Sequence, residues 1–218
     1  MRGNGSRIGE IELSLESLDS RTIALVALAA AIATGDEPAI EPAAGSALTA
    51  GLPPGWVDEL LLQSVLICGW PRALTGARVC RQAGLHLDPA GEDATDYTRH
   101  AEWKARGEAT CRTVYAGTYE ALRRNIHALH PAIDAAMIVE GYGRILGRPG
   151  LDLARRELCT IAQITMQNAR RQLRSHLQGA LNAGASAQAV AEVLELVRPM
   201  LPAKEWEATL VLWERVRG

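Results

Sequence analysis

The chain has 218 residues, of which 48% are hydrophobic and 22% are charged, and its formal net charge is −2. This length is sufficient for one large or two small domains with a buried core, and the composition is that of an ordinary globular protein. The near-zero charge provides no basic surface of the kind that binds nucleic acid or anionic membranes. We therefore expect neither a nucleic acid nor a membrane as a partner.

The longest apolar run is IALVALAAAIA at 23–33, which is too short to span a bilayer. In a signal peptide a basic start would run directly into such a segment. Acidic residues precede this one instead: Glu10, Glu12, Glu16 and Asp19. The four cysteines are scattered, without a Cys-x-x-Cys motif: Cys68, Cys80, Cys111 and Cys159. The acidic residues before the apolar run favour a cytoplasmic protein over a secreted one. In that reducing compartment the cysteines are most simply buried thiols.

Apolar residues recur with the helical period along the whole chain, and no stretch alternates as a strand would. The pattern therefore predicts an all-α fold. The expected helices are 20–34, 37–51, 54–67, 71–84, 97–114, 117–128, 132–146, 153–167, 170–183, 187–198 and 203–216. Asp19 and Asp152 are suited to N-cap positions, and Gly51 and Gly184 are suited to helix ends.

An internal repeat is visible between the two ends of the chain. ALTAGLPPGWVDELL (47–61) aligns with ALNAGASAQAVAEVL (180–194) at a constant offset of 133. Upstream, LDSRTIALVALA (18–29) parallels LDLARRELCTIAQI (151–164) when a gap of a few residues is allowed. The pattern predicts two related helical units and a helical connecting segment. Their expected ranges are 15–90 for the first unit, 91–134 for the segment and 135–218 for the second unit.

Two ionisable residues of the second unit, Glu157 and His176, lie on otherwise apolar helical faces. The alignments place Thr22 opposite Glu157 and Ala43 opposite His176, so only the second unit carries the pair. A buried carboxylate resists ionisation and a buried imidazole resists protonation, but in contact they can share one proton. Such a pair can act as an acid or a base near neutral pH. The spacing alone is also compatible with a structural ion pair.

The run YGRILGRPGLDLARRELCTIA, followed by RSHLQGALNAGASAQAVAEVLE, resembles the carboxymuconolactone decarboxylase family, which includes the alkylhydroperoxidase-D-like proteins. The family pattern is a Glu in an R-E-L helix, then a hairpin, then H-L-x-x-A-L-x-x-G. This chain has Arg156-Glu157-Leu158 and the segment from His176 to Gly184. The resemblance extends more weakly to the first unit through ICGWPRAL at 67–74. It implies an alkylhydroperoxidase-D-like helical fold that self-associates into trimers or hexamers.

The resemblance also implies two possible chemistries. The peroxidase branch carries a Cys-x-x-Cys just before the histidine, and those two positions are Ala169 and Gln172 in this chain. A thiol peroxidase requires a thiolate and a resolving thiol near each other, and neither is present there. A peroxidase that uses other cysteines, or a non-catalytic assembly protein of the same fold, stays open as an alternative.

The decarboxylase branch requires neither a cysteine pair nor a cofactor, and it acts on a small carboxylated lactone. By this resemblance His176 would donate the proton and Glu157 would orient it. Arg148 and Arg155 would bind a substrate carboxylate, and Tyr142 would line the pocket. We expect no metal or other cofactor and a small-molecule substrate.

Overall fold

The computed structural model of the chain describes residues 17–86, 88 and 91–218. Glu10, Glu12 and Glu16, which precede the first apolar run, lie outside these residues. The described part is helical and contains no strand, which confirms the all-α prediction. Within it, no helix combines the length and apolar character needed to cross a bilayer.

The α-helices are α1 (Ser20–Thr34), α2 (Glu37–Thr49), α3 (Pro54–Gln82), α4 (His100–Tyr115), α5 (Tyr119–Leu129), α6 (Pro131–Ala136), α7 (Leu153–Met166), α8 (Arg170–Asn182), α9 (Ala187–Val197) and α10 (Ala203–Arg217). A π-helix, Met137–Leu146, follows α6 directly. Short 3₁₀ turns lie at Tyr97–Arg99, Ala116–Thr118 and Arg198–Met200.

The two helices expected at 54–67 and 71–84 are joined into the single kinked helix α3. Gly69 lies inside it with φ 78° and ψ 163°, a conformation that is open to glycine and strained for other residues. Pro71 then begins the next turn, where its missing N–H leaves no intrahelical bond unmade. The sequence predicts two separate helices here, and the structure has one helix with a kink at Gly69.

The π-helix and α4 cross with their backbones in close contact. A Cβ atom on Gly107 would lie 2.0 Å from the carbonyl oxygen of Ile138, and one on Gly143 would lie 2.0 Å from that of Trp103. Only glycine at both positions permits this approach. π-Helices are rare overall, but they are found often at functional sites.

The internal repeat is gap-free in the structure. Adding 133 to the bounds of α2 gives those of α8, and the residue opposite Asp19 is Asp152, each of which caps its helix by accepting a backbone N–H bond. The same offset pairs Gly51 with Gly184, both at positive φ. The gap expected in the upstream alignment is therefore wrong. Ala24, and not Thr22, lies opposite Glu157.

The main hydrophobic core draws on both units. α1 and α7 pack against each other at its centre, and α9 packs against α1 while α3 packs against α7. A smaller apolar cluster lies between α4, the start of α5 and the π-helix, and α4 also packs on α8. The connecting segment thus covers the second unit's hairpin.

Candidate functional site

Glu157 and His176 meet in the interior of the second hairpin. His176 Nδ1 lies 2.8 Å from Glu157 Oε2 across the interface of α7 and α8. Glu157 is 0% exposed and His176 is 8% exposed. Asp152 begins α7 by accepting the backbone N–H of Arg155, which places Glu157 in the second turn of the helix, at the depth of the imidazole.

The pair is isolated from other polar partners. Glu157 Oε1 is buried and has no hydrogen-bond partner. Among the described residues, the carboxylate is therefore hydrogen-bonded only to His176. Since Nδ1 of the imidazole faces the carboxylate, Nε2 is the ring atom available for proton transfer. A carboxylate that orients an imidazole through Nδ1 leaves Nε2 to exchange a proton with a bound molecule.

Gly179 on α8 makes room for the carboxylate. A Cβ atom there would lie 2.8 Å from Glu157 Oε2 and 2.7 Å from Val114 Cγ1. Both distances are shorter than Cβ contacts in folded proteins. Any larger residue would therefore displace either the carboxylate or α4, so Gly179 is part of the site.

An open cleft of about 950 Å³ lies between the end of α4, α5, the start of α8 and the end of α10. Glu157 and His176 do not line it themselves, but Ser175 and Tyr115, whose ring contacts that of His176, do. Its apolar side chains include Leu122, Ile126, Leu129 and Leu212. Its charged side chains are all basic: Arg170, Arg171, Arg174 and Arg215. A cleft with an apolar wall and basic edges is suited to a small organic anion.

The arginines of the cleft are unusual for their place in the chain. Three of them lie in the first turns of α8, where the helix dipole disfavours positive charge. Arg170 pairs with Glu205 at 2.7 Å. Arg171, Arg174 and Arg215 form no ion pair with any residue that the structure describes. Arg171 and Arg174 are therefore unpaired cations at an unfavourable helix end, and both can bind an anion in the cleft.

Tyr115 and Gln172 connect the cleft to the imidazole. Both line the cleft. The ring of Tyr115 lies edge-on to that of His176, with the centroids 6.4 Å apart. Gln172 lies one turn before His176 on α8, so the two share a helix face. The amide of Gln172 therefore stands in the cleft at the position where the peroxidase branch carries a cysteine.

Tyr142 lies behind Tyr115 and does not line the cleft, although the sequence suggested it would. The two rings are edge-to-face with centroids 6.1 Å apart. Burial raises the pKa of Tyr115 to about 12, a hydrogen bond with Tyr142 acts to lower it, and the Glu157 carboxylate raises it further. Burial holds the pKa of Tyr142 well above its ordinary value. Both phenols are therefore protonated at neutral pH.

Sequence reasoning missed Tyr115 and the arginines of α8. Tyr115 ends a helix whose polar sequence at 105–115 reads as a solvated surface, and no motif marks it. The arginines carried a usable signal, because Arg170, Arg171 and Arg174 are clustered just before His176. Their position at a helix start, where cations are disfavoured, distinguishes them from ordinary surface charges.

Arg148 is not brought to the Glu157–His176 pair. It lies in a separate buried cluster, where its Nε is 2.8 Å from Glu59 Oε1. Arg156 completes that cluster, with Nη2 2.8 Å from Glu59 Oε2. Because Arg148 is held by a buried carboxylate and does not line the cleft, the structure gives no contact that supports its predicted role in substrate binding.

Arg155 is also held elsewhere. It pairs with Asp152 at 2.7 Å and with Asp19 at 3.0 Å. Its guanidinium lies 4.5 Å from the centroid of the Trp56 ring. These contacts join the starts of α1 and α7, and they leave Arg155 outside the cleft. The predicted role in substrate binding has no supporting contact here either.

The cysteines lie in environments that disfavour thiolates. All four are free and buried. Burial raises the pKa of Cys80 to about 11 and those of Cys68, Cys111 and Cys159 to about 12. A thiol peroxidase requires a thiolate, so this arrangement does not favour peroxidase chemistry. Among the described residues, no cluster of three potential His, Cys, Asp or Glu ligands could hold a metal ion.

A comparison with known protein families matches the chain to the same family that its motif resembles. The sequence model described as "Carboxymuconolactone decarboxylase family" matches residues 6–82 and 134–214. The chain belongs to the carboxymuconolactone decarboxylase family. Its two matched segments are consistent with two tandem units of the carboxymuconolactone decarboxylase type. The exact domain boundaries stay a prediction.

α4 and α5 lie between the two matched segments. The wall of the cleft that contains Tyr115 is therefore contributed by a part of the chain that the carboxymuconolactone decarboxylase match does not include. A search among curated proteins finds no match to the chain.

Proposed function

We propose that this member of the carboxymuconolactone decarboxylase family is a cofactor-independent decarboxylase. Its substrates would be small unsaturated lactones or related carbonyl compounds that carry two carboxylates. The observation that carries the proposal is the buried Glu157–His176 pair at 2.8 Å beside a cleft whose charged residues are all basic. The fold does not require this pair, because alanines occupy the equivalent positions of the first hairpin.

The cleft supports binding of one substrate carboxylate. Arg171 and Arg174 are exposed and have no ion-pair partner among the described residues. A guanidinium can bind a carboxylate through two parallel hydrogen bonds. Holding the carboxylate that is retained would leave the second one free to depart near His176, with the apolar wall against the ring of the substrate.

The reaction then requires one proton transfer. The bond between carbon and the departing carboxylate breaks, CO₂ leaves, and the electron pair moves into the unsaturated carbonyl to give a dienolate. His176, protonated and stabilised by Glu157, donates its Nε2 proton to carbon as the dienolate collapses. Solvent returns one proton to the imidazole. The net change is uptake of one proton and release of one CO₂, with no oxidant or cofactor.

The test is turnover of carboxymuconolactone, the compound in the family's name, followed by CO₂ release. We expect His176→Ala to reduce kcat by about 10²- to 10⁴-fold, the usual range for a general acid. His100→Ala is a matched control, because His100 is an exposed histidine at the start of α4. A folded His176→Ala variant that works at the wild-type rate would show that the proposed mechanism is wrong.

A thiol assay separates the peroxidase alternative. Free thiols are titrated before and after treatment with peroxide. The proposal predicts four unreacted thiols in the folded protein, since all four are buried with raised pKa values. Rapid loss of a pair of thiols with matching consumption of peroxide would favour the peroxidase.

A further inference from the structure

Tyr115 occupies a rigidly defined position at the edge of the cleft. It is the last residue of α4, and Ala116 follows with φ 44° and ψ −124°. A positive φ at alanine is strained, and such strain persists where the surrounding packing enforces it. The contact of Gly107 with the π-helix fixes α4 upstream, so Tyr115 is held between a strained turn and a close backbone crossing.

Tyr115 lies between Tyr142 and the cleft. Tyr142, 4% exposed, lies on the π-helix behind Tyr115, and the two rings meet edge to face with their centroids 6.1 Å apart. Tyr142 acts to lower the pKa of Tyr115, and Tyr115 acts to raise that of Tyr142, as expected when the deeper hydroxyl donates to the outer one. This direction leaves the Tyr115 proton for an acceptor in the cleft. Donation into a phenol oxygen also polarises that phenol and strengthens its own donation.

The proposed decarboxylation requires one component besides the proton donor and the carboxylate-binding arginines. As CO₂ leaves, negative charge develops on the carbonyl oxygen, and a preorganised donor near that oxygen lowers the barrier. His176 supplies the proton for carbon, and the arginines hold a carboxylate. Tyr115 lines the cleft in ring contact with His176, so one substrate can reach both side chains.

We propose that Tyr115 is a catalytic hydrogen-bond donor to the dienolate oxygen and that Tyr142 is a positioning residue behind it. This inference rests on the proposed function. Tyr115 keeps its proton throughout, because burial and the neighbouring Glu157 carboxylate oppose the phenolate. The connecting segment, which lies between the two family matches, thus adds a residue to the active site of the second unit.

The first experiment separates kcat from KM with carboxymuconolactone as substrate. Tyr115→Phe keeps the ring against His176 and removes only the donor. We expect kcat to fall by about 10²-fold, the effect of losing one such donor, with KM nearly unchanged. Tyr142→Phe removes the positioning bond, and we expect a fall of about fivefold, the value of one ordinary hydrogen bond.

Tyr119→Phe is the matched control. Tyr119 is a buried tyrosine of the same connecting segment, and its hydroxyl accepts a hydrogen bond from Arg123 at 2.9 Å, outside the cleft. We expect wild-type kcat for this variant. If Tyr115→Phe also keeps the wild-type kcat while His176→Ala is inactive, the assignment of Tyr115 is wrong and the proposed function stands.

The second experiment does not depend on turnover. Benzoate offers the cleft a carboxylate, and 3,5-difluoro-4-hydroxybenzoate adds a phenolate oxygen that imitates the dienolate. We expect the wild type to bind the second ligand at least tenfold more tightly in calorimetry, and Tyr115→Phe to abolish this preference. Equal binding of both ligands by the wild type would overturn the role of Tyr115, whichever substrate the protein uses.

Discussion

The hairpins α1–α2 and α7–α8 share the same backbone arrangement. Each begins with an aspartate N-cap, and each turns through a residue at positive φ, Gly35 in the first and Asn168 in the second. They differ at the interface between their helices. The first has Ala24 and Ala43 where the second has Glu157 and His176.

The comparison shows that the fold forms without the polar pair. Burying a carboxylate and an imidazole costs free energy that two alanines do not. The second helix of the hairpin also begins with less stabilising residues in the second copy than in the first. α2 begins with Glu37 and has Glu41 in its first turns, which suits the helix dipole, whereas α8 has Arg170 and Arg174 at those positions. The second hairpin therefore departs from the more stable choice at its core and at its helix start, as functional sites do.

The largest expected effect comes from copying the first hairpin into the second. The double variant Glu157→Ala/His176→Ala should keep the helical circular dichroism of the wild type. Its decarboxylation rate should fall by at least about 10²-fold, because the proton donor is absent. A double variant with wild-type turnover would make the difference between the hairpins irrelevant to catalysis.

The single variant should be less stable than the double. His176→Ala leaves the Glu157 carboxylate buried with neither oxygen bonded. We expect it to lose about 3 kcal/mol of unfolding free energy in urea, and the double variant to regain part of that loss. Additive losses in this cycle would contradict the interpretation of the two residues as one buried pair.

Arg174→Glu gives α8 the residue that α2 has at Glu41. The cleft loses a cation, so we expect KM for carboxymuconolactone to rise about 10- to 100-fold, the loss of one hydrogen bond to a charged group. Stability should increase by a few tenths to about 1 kcal/mol, because the helix dipole favours the acid. Arg217→Glu, at an exposed position outside the cleft, is the control, and we expect it to leave KM unchanged.

Gly179→Ala tests how closely the carboxylate is packed. The added methyl would contact both Glu157 and Val114, and we expect a loss of about 2 kcal/mol by overpacking together with lower activity. The equivalent residue of the first hairpin is Ser46, which is exposed. Ser46→Ala should change stability by less than about 0.5 kcal/mol. Equal effects at the two positions would show that the second hairpin is no more tightly packed than the first.

The smallest effect concerns acid stability at the first N-cap. Burial acts to raise the pKa of Asp19, but hydrogen bonds from Thr22 and Arg155 lower it to about 2, from an ordinary value of 3.8. A lowered pKa stabilises the folded state above the ordinary value, and this stabilisation is lost as the pH falls from about 4 to about 2. Asp19→Asn keeps a capping oxygen without titrating. Its unfolding free energy should therefore decrease less than that of the wild type over this interval, whereas parallel decreases would argue against the cap as an acid-sensitive group.

Much of the fold was accessible from local patterns. The predicted bounds of α1 are those of the structure, and those of α8 and α9 differ by one residue, since helical periodicity and capping residues act within a few positions. The sequence predicts an ordinary helix at 132–146, where the structure has α6 and the π-helix. Its i→i+5 bonds have no sequence signature, and the close crossing with α4 at Gly107 and Gly143 becomes apparent only when both helices are placed.

The residues of the candidate site also fall into those that the sequence identified and those that it did not. The sequence singled out Glu157 and His176 because each interrupts an apolar face within a family motif, and the helix spacing allowed their contact. It pointed to Arg148, Arg155 and Tyr142 by nearness along the chain. That criterion failed because a guanidinium binds the carboxylate that the fold brings closest, which is Glu59 for Arg148.

The sequence by itself determined the helices, the duplication and the loss of the acid–base pair from one copy. These depend on residue type and on spacing within one or two turns. Only the tertiary structure decided which arginines face the cleft, that Tyr115 stands before Tyr142, and that α4 covers one hairpin. The reason is physical: side chains distant along the chain meet only after the packing of the helices is fixed, and local periodicity carries no record of that packing.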